Sequence, residues 1–257
     1  MLSFAQGAPQ GEHRRFLMWH GVAWPVALAA LAIWLRHSGW DDRISALFFD
    51  VQSQHFMAGR EGWAEWLGHR VAKSVVLTAW LLVLAAALAA GLPAWPAAWS
   101  RYRPVLWATA LAMGLGPAVV AGLKDINSHA CPWSLTGFGG TATYSAHWFV
   151  PLADAGRCFP GGHAAGGFSL IAVMFAGRAL QWRALERRGL WLALGVGSLF
   201  SLVRLAQGAH FMSHNLWSAA IDWWVAALVF SPLLLRRSPL GTSDLDRPGQ
   251  ALHGGAQ

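Results

Sequence analysis

The stretch VLWATALAMGLGPAVVAGL, residues 105–123, carries no charged side chain and runs directly into Lys124. About 20 apolar residues in sequence cross a bilayer as a helix, because a helix rises about 1.5 Å per residue and satisfies its own backbone polar groups. Comparable runs occupy Phe16–Leu35, Val75–Leu92, His163–Leu180, Leu190–Leu205 and Leu216–Leu235, the fifth span in chain order being the shortest. With Val105–Leu123 they predict an all-α, polytopic membrane protein, a six-transmembrane-helix bundle.

Composition agrees with that reading. The 257 residues are 55% hydrophobic and only 12% charged, against about 25% charged in soluble domains. Several of the 17 Trp, among them Trp19, Trp34, Trp95, Trp182 and Trp191, lie in or beside the runs, where an indole has an apolar ring in lipid and a polar N–H near water. The first run follows Arg14-Arg15, but its apolar core of about 20 residues exceeds that of a cleaved signal peptide, so it reads as a retained span.

Lys and Arg beside the spans set the orientation. With the N-terminus inside, inner segments hold 11 of the 19 cations and a net charge of +7, against +1 for the outer segments. Both termini are therefore expected in the cytoplasm. The positive charge of the whole chain follows from topology, and no basic stripe with interleaved aromatics argues for nucleic-acid binding. Residues 1–15 read as a cytoplasmic lead, 16–235 as the six-span membrane domain and 236–257 as a polar cytoplasmic tail without a fixed fold. Residues 36–74, with Asp41-Asp42 and the stretch Glu61–Arg70, read as short helices on the outer surface. Residues 125–162 form the largest outer loop.

The two cysteines, Cys131 and Cys158, both fall in that loop. Outside a bacterial inner membrane is an oxidising compartment. A disulfide is predicted, closing about 27 residues and contributing roughly 3–4 kcal/mol in the chain-entropy description, with two free thiols as the alternative. The wide spacing, without close Cys/His partners, excludes a zinc site.

Three clusters carry the chemistry. Lys124 closes the third span, with Cys131-Pro132 beyond it. Pro160-Gly161-Gly162-His163 opens the fourth, where helix N–H groups and the dipole favour an anion. Arg204 is followed by His210 and His214. On one unbroken helix Arg204 and His210 would be rotated about 240° apart, so they share a face only if the chain leaves the helix, and Gly208 offers that exit. His210 and His214 share a face if the next helix begins near Ala209. Two cations and two imidazoles at one end of a bundle suit phosphoryl transfer through a phosphohistidine.

In this order and at these span ends, the clusters resemble the membrane branch of the type 2 phosphatidic acid phosphatase superfamily, over roughly residues 70–235. That family's motifs are Lys, six residues, Arg-Pro; Pro-Ser-Gly-His; and Ser-Arg, five residues, His, three residues, Asp. The resemblance implies six spans and a site at the outer, periplasmic face. It implies that His210 is the nucleophile, that His163 is the general acid, and that Lys124 and Arg204 hold the phosphoryl oxygens with the Gly161 and Gly162 N–H groups. It implies no cofactor and no metal. Cys131 stands where the family has arginine, and Arg157, beside Cys158, is the candidate to return a cation through the disulfide. Gly161 stands for serine. His214 stands for the aspartate that orients the nucleophile. His214 itself, accepting a hydrogen bond from His210, Asn215, Asp125 and Asp154 are the candidates to replace that aspartate.

Asp222, inside the sixth span, is expected to be buried against a partner in the bundle. His20 reads as packing or a local hydrogen bond. The expected activity is hydrolysis of a lipid phosphate or lipid diphosphate at the periplasmic face of a bacterial inner membrane, with membrane lipids as the other partners. A lipid phosphotransferase on the same site and a non-catalytic lipid-phosphate binding or transport protein are the competing readings.

Overall fold

The computed structural model describes residues 10–58, 72–126, 129–145, 147 and 156–235. The expected helix near Glu61–Arg70, Asp154, and the tail after 235 lie outside them. Helix α1 (Gln10–Phe16) continues through a π-helical turn (Leu17–Ala23) into α2 (Trp24–His37). The widened turn precedes Pro25, which lacks an N–H and crowds the carbonyl four residues back. Gly39, at φ 73°, ends this rod in a left-handed conformation that costs glycine little. Then follow α3 (Trp40–Ala46) and a two-stranded antiparallel hairpin, β1 (Phe49–Asp50) with β2 (His55–Phe56), in the register Phe49–Phe56. The reading of this segment as helix alone missed the hairpin.

The remaining helices are α4 (Ala72–Ala89), α5 (Arg103–Ile126), α6 (Gly162–Phe168), α7 (Ile171–Ala179), α8 (Arg183–Ala206) and α9 (Met212–Leu235). Four helical stretches, His13–His37, Trp99–Ile126, Arg183–Ala206 and Met212–Leu235, are long and apolar enough to cross a membrane. The other two expected spans differ. Ser74–Ala89 is apolar but shorter. The run His163–Leu180 is broken between α6 and α7 at Ser169-Leu170, with the Ser169 hydroxyl donating to the Gly166 carbonyl at 2.7 Å. The span expected to be shortest is instead part of a 24-residue helix, because the charged segment Arg183–Arg188 consists of good helix formers and extends it.

Helix α9 lies among α2, α5, α6 and α7, while α8 packs on α6 and α7. The core joins Met113, Ile171, Phe175, Ala226 and Phe230, with Phe175 stacked on Phe230 at 5.8 Å. Small residues let helices touch backbone to backbone: a Cβ on Gly167 of α6 would stand 2.7 Å from the Gly197 Cα of α8. Leu17, Trp19, Val22, Leu82, Trp191 and Leu199 point outward, exposed, as a lipid-facing surface requires. A second cluster, Phe56, Leu135, Phe138 and Phe211, ties the hairpin to the loop after Cys131 and to the turn between α8 and α9.

Candidate active site

The site is built where α5, α6, α8 and α9 end or begin. Helix α8 stops at Ala206, and Gly208 takes φ 65°. A side chain there would also collide with the Phe56 ring. The turn closes with Ala209 N–H donating to the Arg204 carbonyl at 2.8 Å. The expected exit from the helix at Gly208 is thus present. Helix α9, however, begins at Met212 rather than near Ala209. His210 therefore sits in the connecting turn, and its ring centroid lies 6.1 Å from that of His214.

His210 is 3% exposed. Its Nδ1 lies 2.8 Å from the Cys158 carbonyl oxygen. A carbonyl only accepts, so Nδ1 carries the proton and Nε2 the lone pair of the neutral ring. This hydrogen bond goes to a backbone atom, not to His214, one of the four candidates. His214 is buried beside Phe159, Phe211 and His129, and its Nδ1 has no hydrogen-bond partner among the described residues. Burial holds the His210 imidazole well below its ordinary pKa, and the charges of Lys124, His214 and Arg204 push the same way.

Lys124, in the last turn of α5, lies within electrostatic reach of both Arg204 and Arg157. The Arg204 guanidinium is buried, donates to the Gln207 Oε1 at 2.8 Å and sits 5.9 Å over the Trp133 ring. Arg157, at φ 51°, is exposed and ion-paired with Asp125, at the rim next to Lys124. Asp125 is thereby occupied with Arg157 and is not the partner of His210.

Gly162 begins α6 close to Lys124, whose Nζ would lie 3.6 Å from a Cβ placed on that glycine. The first-turn N–H groups of a helix have no acceptor within it. Gly161 differs, since its N–H donates to the His214 carbonyl at 3.1 Å. That bond removes Gly161 from the expected set of anion donors. Ser218 Oγ donates to the Gly161 carbonyl at 2.9 Å, and a Cβ on Gly161 would collide with the Asn215 Oδ1. Glycine stands at 161 because Asn215 occupies the space.

Lys124, Gly162 and His163 line one cavity of about 480 Å³ together with Val76, Leu77, Trp80, Met113, Pro117 and Phe200. Trp80 is fixed there by its Nε1 donating to the Ala110 carbonyl at 2.9 Å. His210 and Arg204, which are not among the lining residues, are buried and lie within electrostatic reach of Lys124.

Sequence reasoning missed a further contact. Asp41 of α3 accepts from the Ser213 N–H at 3.0 Å and from the Ser213 hydroxyl, capping α9 just after His210. Burial is the largest influence on its carboxyl and raises its pKa, while the Ser213 bonds oppose the rise. The Asp41-Asp42 pair is visible in the sequence, but nothing in it signals a reach to residue 213. Asp222 is 1% exposed against Gly116 of α5, and its two oxygens have no hydrogen-bond partner among the described residues, so the partner expected for it is missing there. His20 stacks on Trp223 at 5.8 Å and lies 3.1 Å from the Arg178 Nη1, the packing and local bond expected of it.

Cys131 and Cys158 form a disulfide, with Cα atoms 5.2 Å apart. Together these features define an all-helical membrane protein whose helix ends gather cations around imidazoles. The PAP2 superfamily profile matches residues 105–235, and the chain belongs to that superfamily. Its members are phosphatases, which supports phosphatase activity on phosphate esters here. Neither the curated proteins nor the solved structures gave a match.

Proposed function

We propose that the chain hydrolyses a lipid phosphate or lipid diphosphate through a phosphohistidine. The cavity carries this reading. One end holds Lys124, Gly162 and His163, and the rest is apolar wall from α4, α5, α6 and α8. A phosphate bound at the polar end would leave its hydrocarbon tail against Trp80 and Met113, among helices that face lipid.

In the first step the His210 Nε2 attacks phosphorus. The N–P bond forms as the bond to the lipid oxygen breaks, and His163 gives that oxygen its proton. In the second step water attacks phosphorus and gives a proton to His163, the N–P bond breaks, and phosphate leaves. Lys124, Arg204 and the Gly162 N–H stabilise the charge on the phosphoryl oxygens, with Arg157 adding positive charge at the rim. His214 bounds the nucleophile's pocket. In this reading α4 and the α6–α7 pair complete six crossings, and residues 16–235 form the membrane domain. The site opens at the periplasmic face of a bacterial inner membrane, and residues 1–15 and 236–257 lie in the cytoplasm.

The test is phosphate release from a panel of lipid phosphates and soluble esters by purified protein in mixed micelles. The expected result is a preference for lipid substrates and a fall of about 10³-fold or more for His210→Ala. Rapid quench should trap an acid-labile phosphoprotein that His210→Ala lacks. Equal turnover by His210→Ala would refute the phosphohistidine. Transfer of label from a donor lipid to a lipid hydroxyl would identify a phosphotransferase instead, and binding without turnover would identify a non-catalytic lipid-phosphate protein.

A further inference from the structure

We propose that the Cys158 carbonyl, braced by the Cys131–Cys158 disulfide, is the positioning group of His210 and stands in for an orienting carboxylate. This deepens the reading of His210 as nucleophile and rests on it.

Among the described residues, the charged groups that act on His210 are Lys124, His214 and Arg204, none of them an acid. The polar atom that takes its Nδ1 proton, among the described residues, is the Cys158 oxygen, at 2.8 Å. A wrong tautomer would put the proton on Nε2 and leave nothing to attack phosphorus. The orienting atom therefore has to be held still, and here it belongs to a loop.

A closed circuit of links holds it. The disulfide joins Cys158 to Cys131. Two residues on, Trp133 N–H donates to the Gly208 carbonyl at 3.0 Å. Gly208 leads to His210 along the chain, and the His210 Nδ1–H returns to Cys158. A second tie, Cys158 N–H to the His129 carbonyl at 3.0 Å, fixes the peptide from its other side. The Trp133 ring also lies against the Arg204 guanidinium. Cys131 thus gives up any role as a phosphate ligand for one as an anchor. Removing the disulfide opens the circuit and frees the imidazole to exchange tautomers.

The experiment uses full-length protein in micelles with ¹⁵N-labelled histidine, above the ordinary imidazole pKa, with His210→Gln used only to identify the His210 resonances. In oxidised protein the expected His210 signals are a protonated Nδ1 and an unprotonated Nε2. After reduction by a phosphine, which supplies two electrons while water supplies two protons and its oxygen, the two signals should move toward each other as tautomers mix. Lipid-phosphate turnover should then fall at least about tenfold in kcat with KM little changed, and Cys131→Ser should match the reduced protein. A protonated Nε2 in oxidised protein would overturn the carbonyl's role, and that measurement needs no folded reduced form. Unchanged tautomer signals after reduction would overturn the role of the disulfide. Absence of turnover in every form would refute the phosphatase reading while the nitrogen signals still decide this one.

Discussion

At the scale of single residues, the buried neutral state of His210 has two consequences for pH. Its pKa is depressed chiefly by burial. The free protein should therefore keep its nucleophile unprotonated below the ordinary imidazole range, near 6.5. The acid limb of kcat/KM assigned to His210, as the limb whose shape changes in His210 variants, is expected below that value. Stability follows the same sign. Below about pH 6.5 the unfolded chain takes up a proton that the folded one refuses, so this contribution is present above that pH and is lost as pH falls toward the folded pKa. Thermal melts between pH 5 and pH 8, compared with His210→Gln, measure it. Gly161→Ser is expected to destabilise by about 1–3 kcal/mol, because its Cβ collides with Asn215. Pairing it with Asn215→Ala should recover part of that loss, and an unchanged melting temperature for Gly161→Ser alone would refute the steric account.

The residues proposed to carry chemistry were visible as letters: Lys124, His163, Arg204 and His210, with the two cysteines that form the disulfide. The replacement for the orienting aspartate was not. Its substitute is a main-chain oxygen that every residue possesses, so Cys158 looks no different in sequence from any other residue on that score. Of the candidate side chains, Asp125 is ion-paired with Arg157, and Asn215 packs against Gly161.

Among elements, helix existence could be read from apolar runs, but helix ends could not. The run His163–Leu180 is largely apolar, yet it is broken by backbone geometry at Ser169-Leu170 that hydropathy does not register. Gly208, by contrast, marked its break in the sequence, because a positive φ there suits glycine. Helix α9 starts at Met212, ahead of the apolar run Leu216–Leu235, where Asp41, 172 residues away, accepts from the Ser213 N–H. Asp41→Ala should leave the Ser213 N–H without its acceptor and lower stability by about 1–2 kcal/mol, measured by thermal melting. Gly197→Leu should be far worse, since a side chain there collides with the Phe168 ring and drives α6 from α8; loss of folded protein in size-exclusion profiles is the expected outcome.

For the molecule as a whole, the proposed orientation makes its own prediction. Single cysteines placed at residues 53 and 240 of a Cys131→Ala/Cys158→Ala background should differ in labelling by a membrane-impermeant maleimide on intact cells. Position 53 should react and position 240 should not; the reverse result would invert the topology. Charge bias gave that orientation, and apolar runs gave the helical class. Neither reports the hairpin, whose two-residue strands are too short to show an alternating pattern.

The contact between Asp41 and Ser213 reaches beyond the boundaries of the superfamily match, which begins at residue 105. The segment that precedes the matched region is therefore tied into the bundle. A shortened protein starting at the match would leave the first turn of its last helix without a carboxylate, and would also lose the aromatic hairpin that covers Gly208. Exchange of the leading hundred residues between relatives should consequently retune the nucleophile's surroundings while every motif stays in place.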